Sequence, residues 1–507
     1  MELHATALRA LAGQVAAQGG AAWVIGGTLR DLLLGRTVHD IDIALTLPAL
    51  EAARALADGL GGSYVPLDEG HAVARVVLRD GTVLDLASLR APTLEGDLRA
   101  RDFTANAMAA PLLPDGALGP LIDPLDGAAD IRAGRLRLCG ERAFSDDPLR
   151  MLRAARLAAR LEWTLDPALD SALRASAHLI AGVSAERVRD ELLALLAARS
   201  ATPWLRYLDR AGLLLAIIPE LAPARDTSQP SKHFFQVWEH MLEAVCAAEW
   251  IAADLAGDGR PPPPAPPADP ADAYPPAAWF RPAAVRRWPE LRVELGWRER
   301  VLDHWRLSMS GGHQRLALWK LALLLHDIAK PATRVETPEG RVTFHGHQDV
   351  GADMARSIAG RLRLSRAEID YVATVVRAHM RPGQLSSEGE TSARAAYRFF
   401  RDLGDAGVDT LLHGLADHMA ARGPQLSPHH WAMHLAWTDA MLGFHWDAAR
   451  EQQKRAPLVT GRTLMRELGL APGPLLGTLL EAIREAQAAG DIHTVDEALA
   501  LARRLHA

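Results

Sequence analysis

The stretch Val24-Ile25-Gly26-Gly27-Thr28-Leu29-Arg30-Asp31-Leu32-Leu33-Leu34-Gly35, followed after four residues by Asp40-Ile41-Asp42-Ile43, joins a glycine turn to a pair of carboxylates. The β-branched residues before the glycines read as a buried strand, the glycines as a turn that lets backbone approach a ligand, and Thr28 onward as the start of a helix. Amide groups at such a turn favour anions. Asp40 and Asp42 lie two apart in a second short apolar run. In a strand that spacing puts both on one face, within reach of one ion or a pair. Hard oxygen ligands of this kind suit magnesium or manganese. A Gly-Gly turn alone is usually only a turn, and a D-x-D alone is usually a solvated strand end. Together they point to nucleotide-using phosphoryl transfer.

At 507 residues the chain is too long for one core and suggests three or four domains. Its apolar fraction of 49% fits a globular protein. Two cysteines, Cys139 and Cys246, build no disulfide framework, and the opening lacks the pattern of a signal peptide. No apolar run is long enough to span a bilayer, so a soluble, cytoplasmic protein without a membrane partner is expected. The net charge of -6 argues against a general nucleic-acid coat. Arg nevertheless accounts for all but four of the 56 basic residues, the lysines being Lys232, Lys320, Lys330 and Lys454. Between Ile131 and Arg160 there are eight Arg and three acids, a local surplus that attracts phosphates.

Residues 1–138 alternate short β-like runs (Ala22 to Ile25, Ile41 to Leu45, Ala72 to Leu78, Val83 to Leu86) with helical patterns, which reads as a small α/β head. Helical periodicity then dominates. It predicts a helical neck over 139–225, a second helical domain over 226–425, and a helical tail over 426–507. Nine prolines between Pro261 and Pro276 mark an exposed insertion at 257–278.

The first motif, with Arg30-Asp31 and Gly35 between its halves, resembles the signature of the polymerase β superfamily. More narrowly, it resembles the bacterial (class II) tRNA nucleotidyltransferase and poly(A) polymerase family. Leu94 to Ala107 contains Arg101-Asp102-Phe103-Thr104-Ala105-Asn106-Ala107 and resembles the family's second motif, with Ala100 in place of the first arginine of its pair. Asp123-Pro124-Leu125-Asp126-Gly127-Ala128-Ala129-Asp130 resembles the third, and its Pro and Gly read as a structural turn ahead of the helical neck. Asp146-Asp147-Pro148-Leu149-Arg150-Met151-Leu152-Arg153-Ala154-Ala155-Arg156 resembles the family's base-reading helix, Asp146 replacing a glutamate. Arg150, Arg153, Arg156 and Arg160 fall within an arc of roughly 120° beside an apolar stripe. Asp147 and Arg150 can set a carboxylate acceptor beside a donor fork, a pair that fits the amine and ring nitrogen shared by cytosine and adenine. Val183 to Glu191 resembles the fifth motif.

The resemblance implies an α+β fold, with a polymerase β-like nucleotidyltransferase head followed by an all-helical neck and body, an HD domain and a helical tail. It implies catalysis by Asp40 and Asp42 with two Mg2+, and nucleotide binding by Gly26, Gly27, Arg30, Arg101, Asp102, Asn106, Asp147, Arg150, Arg153 and Arg156. Its partners would be tRNA, CTP and ATP, with in-line attack of the tRNA 3'-hydroxyl on the α-phosphorus releasing pyrophosphate.

A second constellation comprises His240, His326-Asp327, His345, His347, His379 and Asp417. It resembles the HD phosphohydrolase fold. That resemblance implies His240, His326, Asp327 and Asp417 as ligands of a divalent transition metal, with His347 and His379 completing a second position.

Only eleven residues separate Arg90 from Asp102. Family members that add the full CCA carry a longer flexible loop here. The short connection resembles CC-adding relatives, which leave the terminal A to a separate A-adding enzyme. CCA addition, CC addition alone, poly(A) synthesis and HD-type phosphohydrolysis therefore remain open at this point.

Overall fold

The computed structural model describes residues 5–38, 40–70, 72–230, 233–257, 291–387, 391–454 and 457–506. Beyond Gly257, the expected proline-rich insertion at 257–278 lies outside them. The chain divides into two compact units. One gathers the residues through Val183 with Tyr207–Ile217; the other holds Ser184–Arg206 and the residues described from Ile218 onward.

The first unit is built on six strands: β1 (Ala22–Ile25), β2 (Asp40–Leu45), β3 (Ser63–Asp68), β4 (Val73–Val77), β5 (Val83–Ser88) and β6 (Ala109–Pro111). They form one sheet in the order β3-β4-β5-β2-β1-β6. Only the central β2/β5 pair is parallel. On β2 the odd-numbered Ile41, Ile43 and Leu45 are fully buried while Asp40 is exposed and Asp42 half-buried, the alternation a strand imposes. Helices α1 (Ala5–Ala17) and α3 (Ala49–Leu60) pack on each other, and α3 lies against β3, β4 and β5. On the Asp42 side, Ala44 joins Ile25, Leu98, Ala107 and Ala109 in a small apolar cluster. The carboxylates stand at the end of that face.

Helix α2 (Gly26–Leu33) starts directly after β1, with Gly26 at φ +68°, a conformation that favours glycine. Helix α4 (Leu94–Arg99) is capped by Thr93, whose hydroxyl accepts from the Gly96 amide. In α5 (Gly127–Ala133) the first amides are satisfied from outside the helix, Gly127 and Ala128 both donating to the Asp123 carboxylate. The third motif is thus a structural turn. Its buried Asp130 accepts from Thr104 Oγ1 at 2.6 Å and from Arg135 and Arg137, which fixes the second motif from behind.

The neck begins with the single turn α6 (Ala143–Asp146), and α7 (Arg150–Leu161) follows. The expected helix over 146–156 is interrupted. Asp147 is extended at φ -148°, ψ 98°, because Pro148 disfavours helical geometry in the residue before it. Arg150 therefore opens α7, and Met151, Leu152, Ala155, Leu157, Ala158 and Ala159 form its buried stripe.

In the second unit, α9 (Ala185–Leu196), which carries most of the fifth motif, packs on α14 (Arg315–Leu325). Between them in sequence come α10 (Thr202–Arg210), of which only the part through Arg206 belongs to this unit, α11 (Leu213–Ile217), which with α8 (Pro167–Ser176) belongs to the first unit, and then α12 (Val237–Ala256) and α13 (Arg298–Arg306). Glu249 of α12 accepts from the amides of Ala201 and Thr202, and Lys320 of α14 donates to the Ala198 carbonyl at 2.7 Å. Next come α15 (His347–Arg361), α16 (Arg366–Ala378), α17 (Arg381–Ser387), α18 (Ala393–Leu403), α19 (Ala406–Arg422) and α20 (Pro428–Lys454). The terminal helices α21 (Gly461–Leu468), α22 (Pro474–Ala488) and α23 (Val495–His506) enclose a small core of their own. Ion pairs connect α22 to α18: Arg398 with Glu485 at 2.6 Å and Arg401 with Glu481 at 3.5 Å. Among the described residues no helix is long and apolar enough to cross a membrane.

Gly127 has no room for a side chain, since a Cβ there would stand 2.1 Å from the Thr104 carbonyl oxygen. Gly127→Ala is expected to cost about 1–3 kcal/mol or more by overpacking, read as a lower urea midpoint. An unchanged midpoint would mean that the second-motif turn yields freely.

Candidate active site and metal cluster

The β2/β5 register pairs Asp42 with Asp85, and Asp40 with Val83. Thr28 of α2 ties the turn to β2, its hydroxyl accepting from the Asp42 amide at 2.8 Å and donating to the Asp40 carbonyl at 3.3 Å. Positive φ and close approach both call for glycine at Gly26, while Gly27 brings its backbone into ordinary contact range. A Cβ on Gly26 would lie 3.2 Å from Asp42 Oδ2 and 3.5 Å from Arg101 Nη1; one on Gly27 would lie 3.6 Å from the same oxygen. Burial, with Asp85 alongside, pushes the Asp42 carboxyl up to about 6, against the pull of Arg101 and Arg30. Such a group is poised to exchange its proton for a metal ion.

The second-motif residues form a chain of contacts under the turn. Buried Arg30 donates to Asp31 at 2.9 Å and to Asn106 Oδ1 at 2.8 Å; Asn106 Nδ2 donates to Asp102 Oδ1 at 3.1 Å. Arg153 Nη1 lies 3.5 Å from Asp102 Oδ2. Arg30 therefore braces the turn from within. Arg101, tethered to Asp97 at 3.0 Å, is the guanidinium beside Gly26 and Asp42. Arg150 donates to the carbonyls of Ala100 at 3.0 Å, Ala143 at 3.3 Å and Arg101 at 3.4 Å. Asp147 accepts from the Leu149 amide at 3.2 Å. Arg156 is half-buried on α7. Sequence reading missed Asp85 and its partner Arg75; the available signal was a single carboxylate in the otherwise apolar run Val83 to Leu86.

In the second unit, α12, α14, α15, α16 and α19 bring six expected ligands together. His240 Nε2 lies 2.9 Å from Asp417, 3.4 Å from Asp327 and 3.2 Å from His326 Nε2. His347 Nε2 lies 3.4 Å from the other Asp327 oxygen and 3.3 Å from His379 Nε2. Two groups able to hold an ion result, His240/His326/Asp327 and Asp327/His347/His379, with Asp327 in both. His345, by contrast, belongs to neither group.

The tautomers fit ligation. His326, His347 and His379 each direct Nδ1 at a carbonyl three residues earlier, at 2.8, 2.7 and 2.7 Å. A carbonyl only accepts, so these Nδ1 atoms carry hydrogen; burial keeps His347 and His379 neutral with Nε2 lone pairs turned inward, whereas for His326 without metal the pull of burial is outweighed by Asp327 and Asp417, which raise it. Lone pairs facing lone pairs and carboxylates demand a cation. Asp327 Oδ1 is buried without a hydrogen bond. Burial raises the Asp327 carboxyl, but Lys330, 2.5 Å away, and His326 hold it well below the usual range; burial pushes His379 down to about 3. His413, one turn before Asp417, was missed. Its buried ring packs against His326 and His379 with centroids 5.1 and 5.8 Å apart, and neither of its nitrogens has a hydrogen-bond partner. Mixed imidazole and carboxylate donors suit manganese, iron, cobalt, nickel or zinc more than magnesium.

Residues 22–137 match the poly A polymerase head domain, 163–225 the probable RNA and SrmB-binding site of polymerase A, 295–411 the HD domain, and 431–502 a putative tRNA nucleotidyltransferase domain 2. His240 and Asp417 complete the cluster from outside the matched HD span. The chain is 35% identical to an A-adding tRNA nucleotidyltransferase of Deinococcus radiodurans over 95% of this chain and 94% of that protein. It is 33% identical to a CC-adding tRNA nucleotidyltransferase of Thermus thermophilus over 94% and 92%. A CCA-adding enzyme in complex with ATP shares the fold at a TM-score of 0.63 and 21% identity, covering 100% of this chain and 97% of that one. A Thermotoga maritima CCA-adding enzyme complexed with tRNA does so at 0.58 and 22%, covering 99% and 95%. With these four matches in succession along the chain and these relatives similar over nearly its whole length, the chain belongs to the tRNA nucleotidyltransferase and poly(A) polymerase family.

Proposed function

We propose that this chain extends the 3' end of tRNA from CTP and ATP without a nucleic-acid template. The observation that carries the reading is the convergence of the Gly26-Gly27 turn, Asp40, Asp42 and Arg101 at one end of the head sheet. The names of its relatives support the same substrate class. Two Mg2+ ions held by Asp40 and Asp42, when bound, would supply the acidity that activates the tRNA 3'-hydroxyl and the charge that holds the triphosphate. The amides of the glycine turn and Arg101 face the phosphates, while Arg30, Asn106 and Asp102 keep the turn in place. Arg150, braced on three carbonyls, presents a fixed donor edge with little rotamer freedom left to lose, and Asp147 supplies the acceptor. On this reading we assign the protein to the cytoplasm, with the tRNA-processing names of its relatives in support.

CC addition alone is a second reading, favoured by the connection from β5 to α4. Residues 89–93 are closed by the Arg90 amide on Asp97 Oδ1 at 2.9 Å, by the Thr93 cap, and by Arg101 on Asp97 Oδ2. That leaves no long mobile loop to remodel the pocket from CTP to ATP, and a separate A-adding enzyme would finish the tRNA. The HD cluster, in this account, holds two transition-metal ions that share Asp327.

With Mg2+, CTP and ATP, a tRNA lacking CCA should gain C, C and then A, whereas C alone identifies the CC-adding reading. A-tails on many RNAs would point to poly(A) synthesis, A added only to a tRNA already ending in CC would point to A addition alone, and no incorporation into either tRNA would leave the HD cluster as the active centre. Asp42→Ala should lower incorporation by about a thousandfold or more with the fold retained. Because Asp42 in the folded, metal-free protein sits at about 6 against 3.8 for a freely solvated aspartate, its stabilising contribution is present in acid and is lost as pH rises through about 6. Metal-free Asp42→Asn should therefore gain stability over the wild type near pH 7.5 but not near pH 4, by urea unfolding in chelator. Metal analysis should find about two transition-metal equivalents per chain. Asp327→Ala should lose both while keeping tRNA extension; retention of one equivalent would separate the two positions.

A further inference from the structure

Helix α19 gives the HD cluster Asp417, and the residue one turn earlier, His413, lies on the same helix face. Its ring stands edge-on to His326 with centroids 5.1 Å apart and tilted against His379 at 5.8 Å. His413 therefore packs against a ligand from each of the two groups able to hold an ion while belonging to neither. The side chain is fully buried, and neither Nδ1 nor Nε2 has a hydrogen-bond partner. Whether neutral or cationic, an imidazole carries at least one N–H, so a donor is enclosed here without a protein acceptor. Buried donors are almost always satisfied, and one left open beside an ion site points to a ligand that accepts.

The chemistry of that ligand follows from charge and access. Asp327 and Asp417 bring two negative charges to the cluster, and Lys330, 2.5 Å from Asp327, offsets one of them. Two divalent ions would leave a positive surplus, which a multiply charged oxyanion balances and a neutral molecule does not. Asp417 is 26% exposed, against 9% or less for His240, His326, Asp327, His347 and His379, so the cluster opens on the α19 side. We propose that His413 donates a hydrogen bond to an oxygen of a phosphate group held by the HD cluster, and so fixes the anion across both ion positions without itself binding metal. The inference rests on the reading of the cluster as a site for two transition-metal ions. Because His326 and His379 serve different positions, a donor packed against both is placed for an anion that spans them.

The test is a titration of the full-length, Co2+-loaded protein with inorganic phosphate, read by the visible absorption of Co2+. The cluster's share of the spectrum is the part lost in Asp327→Ala, which separates it from Co2+ at the head carboxylates. His413→Phe, which keeps a flat ring but no donor, should retain the wild-type metal content and bind phosphate at the cluster about tenfold or more weakly, as loss of a hydrogen bond to a charged acceptor should. His413→Gln, which keeps an N–H, should recover most of that loss. Equal phosphate affinity in wild type and His413→Phe, or a wild-type spectrum that phosphate does not move, overturns the role of His413. Loss of metal from both variants, with the fold retained by circular dichroism, overturns it by making His413 a ligand. If the wild type takes up no Co2+ that depends on Asp327, the reading of the cluster as a metal site fails instead.

Discussion

Like-charge repulsion among Asp40, Asp42 and Asp85 is the constraint around which the head is arranged. The parallel β2/β5 pairing makes Asp42 and Asp85 immediate neighbours, and burial of Asp42 adds a desolvation cost, so neither the sheet nor the turn is comfortable without cations nearby. The chain meets this with guanidiniums from three directions: Arg75 within the sheet, Arg101 from the second motif, and Arg30 beneath the glycine turn. Those arginines need anchors of their own, and Asp97, Asp31 and Asn106 supply them. The spacing of the second and third motifs follows from this layered compensation, because Asp130 and the Asp123-capped helix hold the Thr104 to Asn106 turn from behind.

The two metal environments differ in ways set by their donor atoms. The head offers carboxylate oxygens, half open to solvent, beside amides suited to phosphate. The HD cluster offers inward-facing imidazole nitrogens around buried carboxylates, each ring oriented by a carbonyl on its own stretch of chain. The first arrangement favours ions that arrive with substrate; the second favours ions that stay.

Much of this was legible in the sequence, for reasons that differ by element. Strands β1, β2, β4 and β5 are buried on at least one face and announce themselves by branched apolar runs. By contrast, β3 is an exposed edge strand containing Pro66, and β6 spans three residues, so neither leaves a pattern above background. The HD ligands lie on five helices, and single histidines among leucines carry no periodic signal; their grouping was readable only through resemblance. The break at Asp147 was written in Pro148 but was overridden by the arginine periodicity that follows. Asp85 stood out as a lone carboxylate in an apolar run, but its place beside Asp42 was hidden, because strand register, unlike strand identity, is a long-range property.

The tail carries a consequence of another kind. Its three helices bury their apolar side chains among themselves, and the described ion pairs that hold α22 to α18 are partly exposed. Exposed pairs of this sort fade when dissolved ions shorten the reach of charge, to about 8 Å at physiological strength. The ionic medium therefore loosens this seam without disturbing the cores on either side of it. Since the arginines of α18 meet carboxylates there, any dense polyanion passing along that helix competes with Glu481 and Glu485 for the same guanidiniums, so the seam responds to the solution around it more than to the chain that made it.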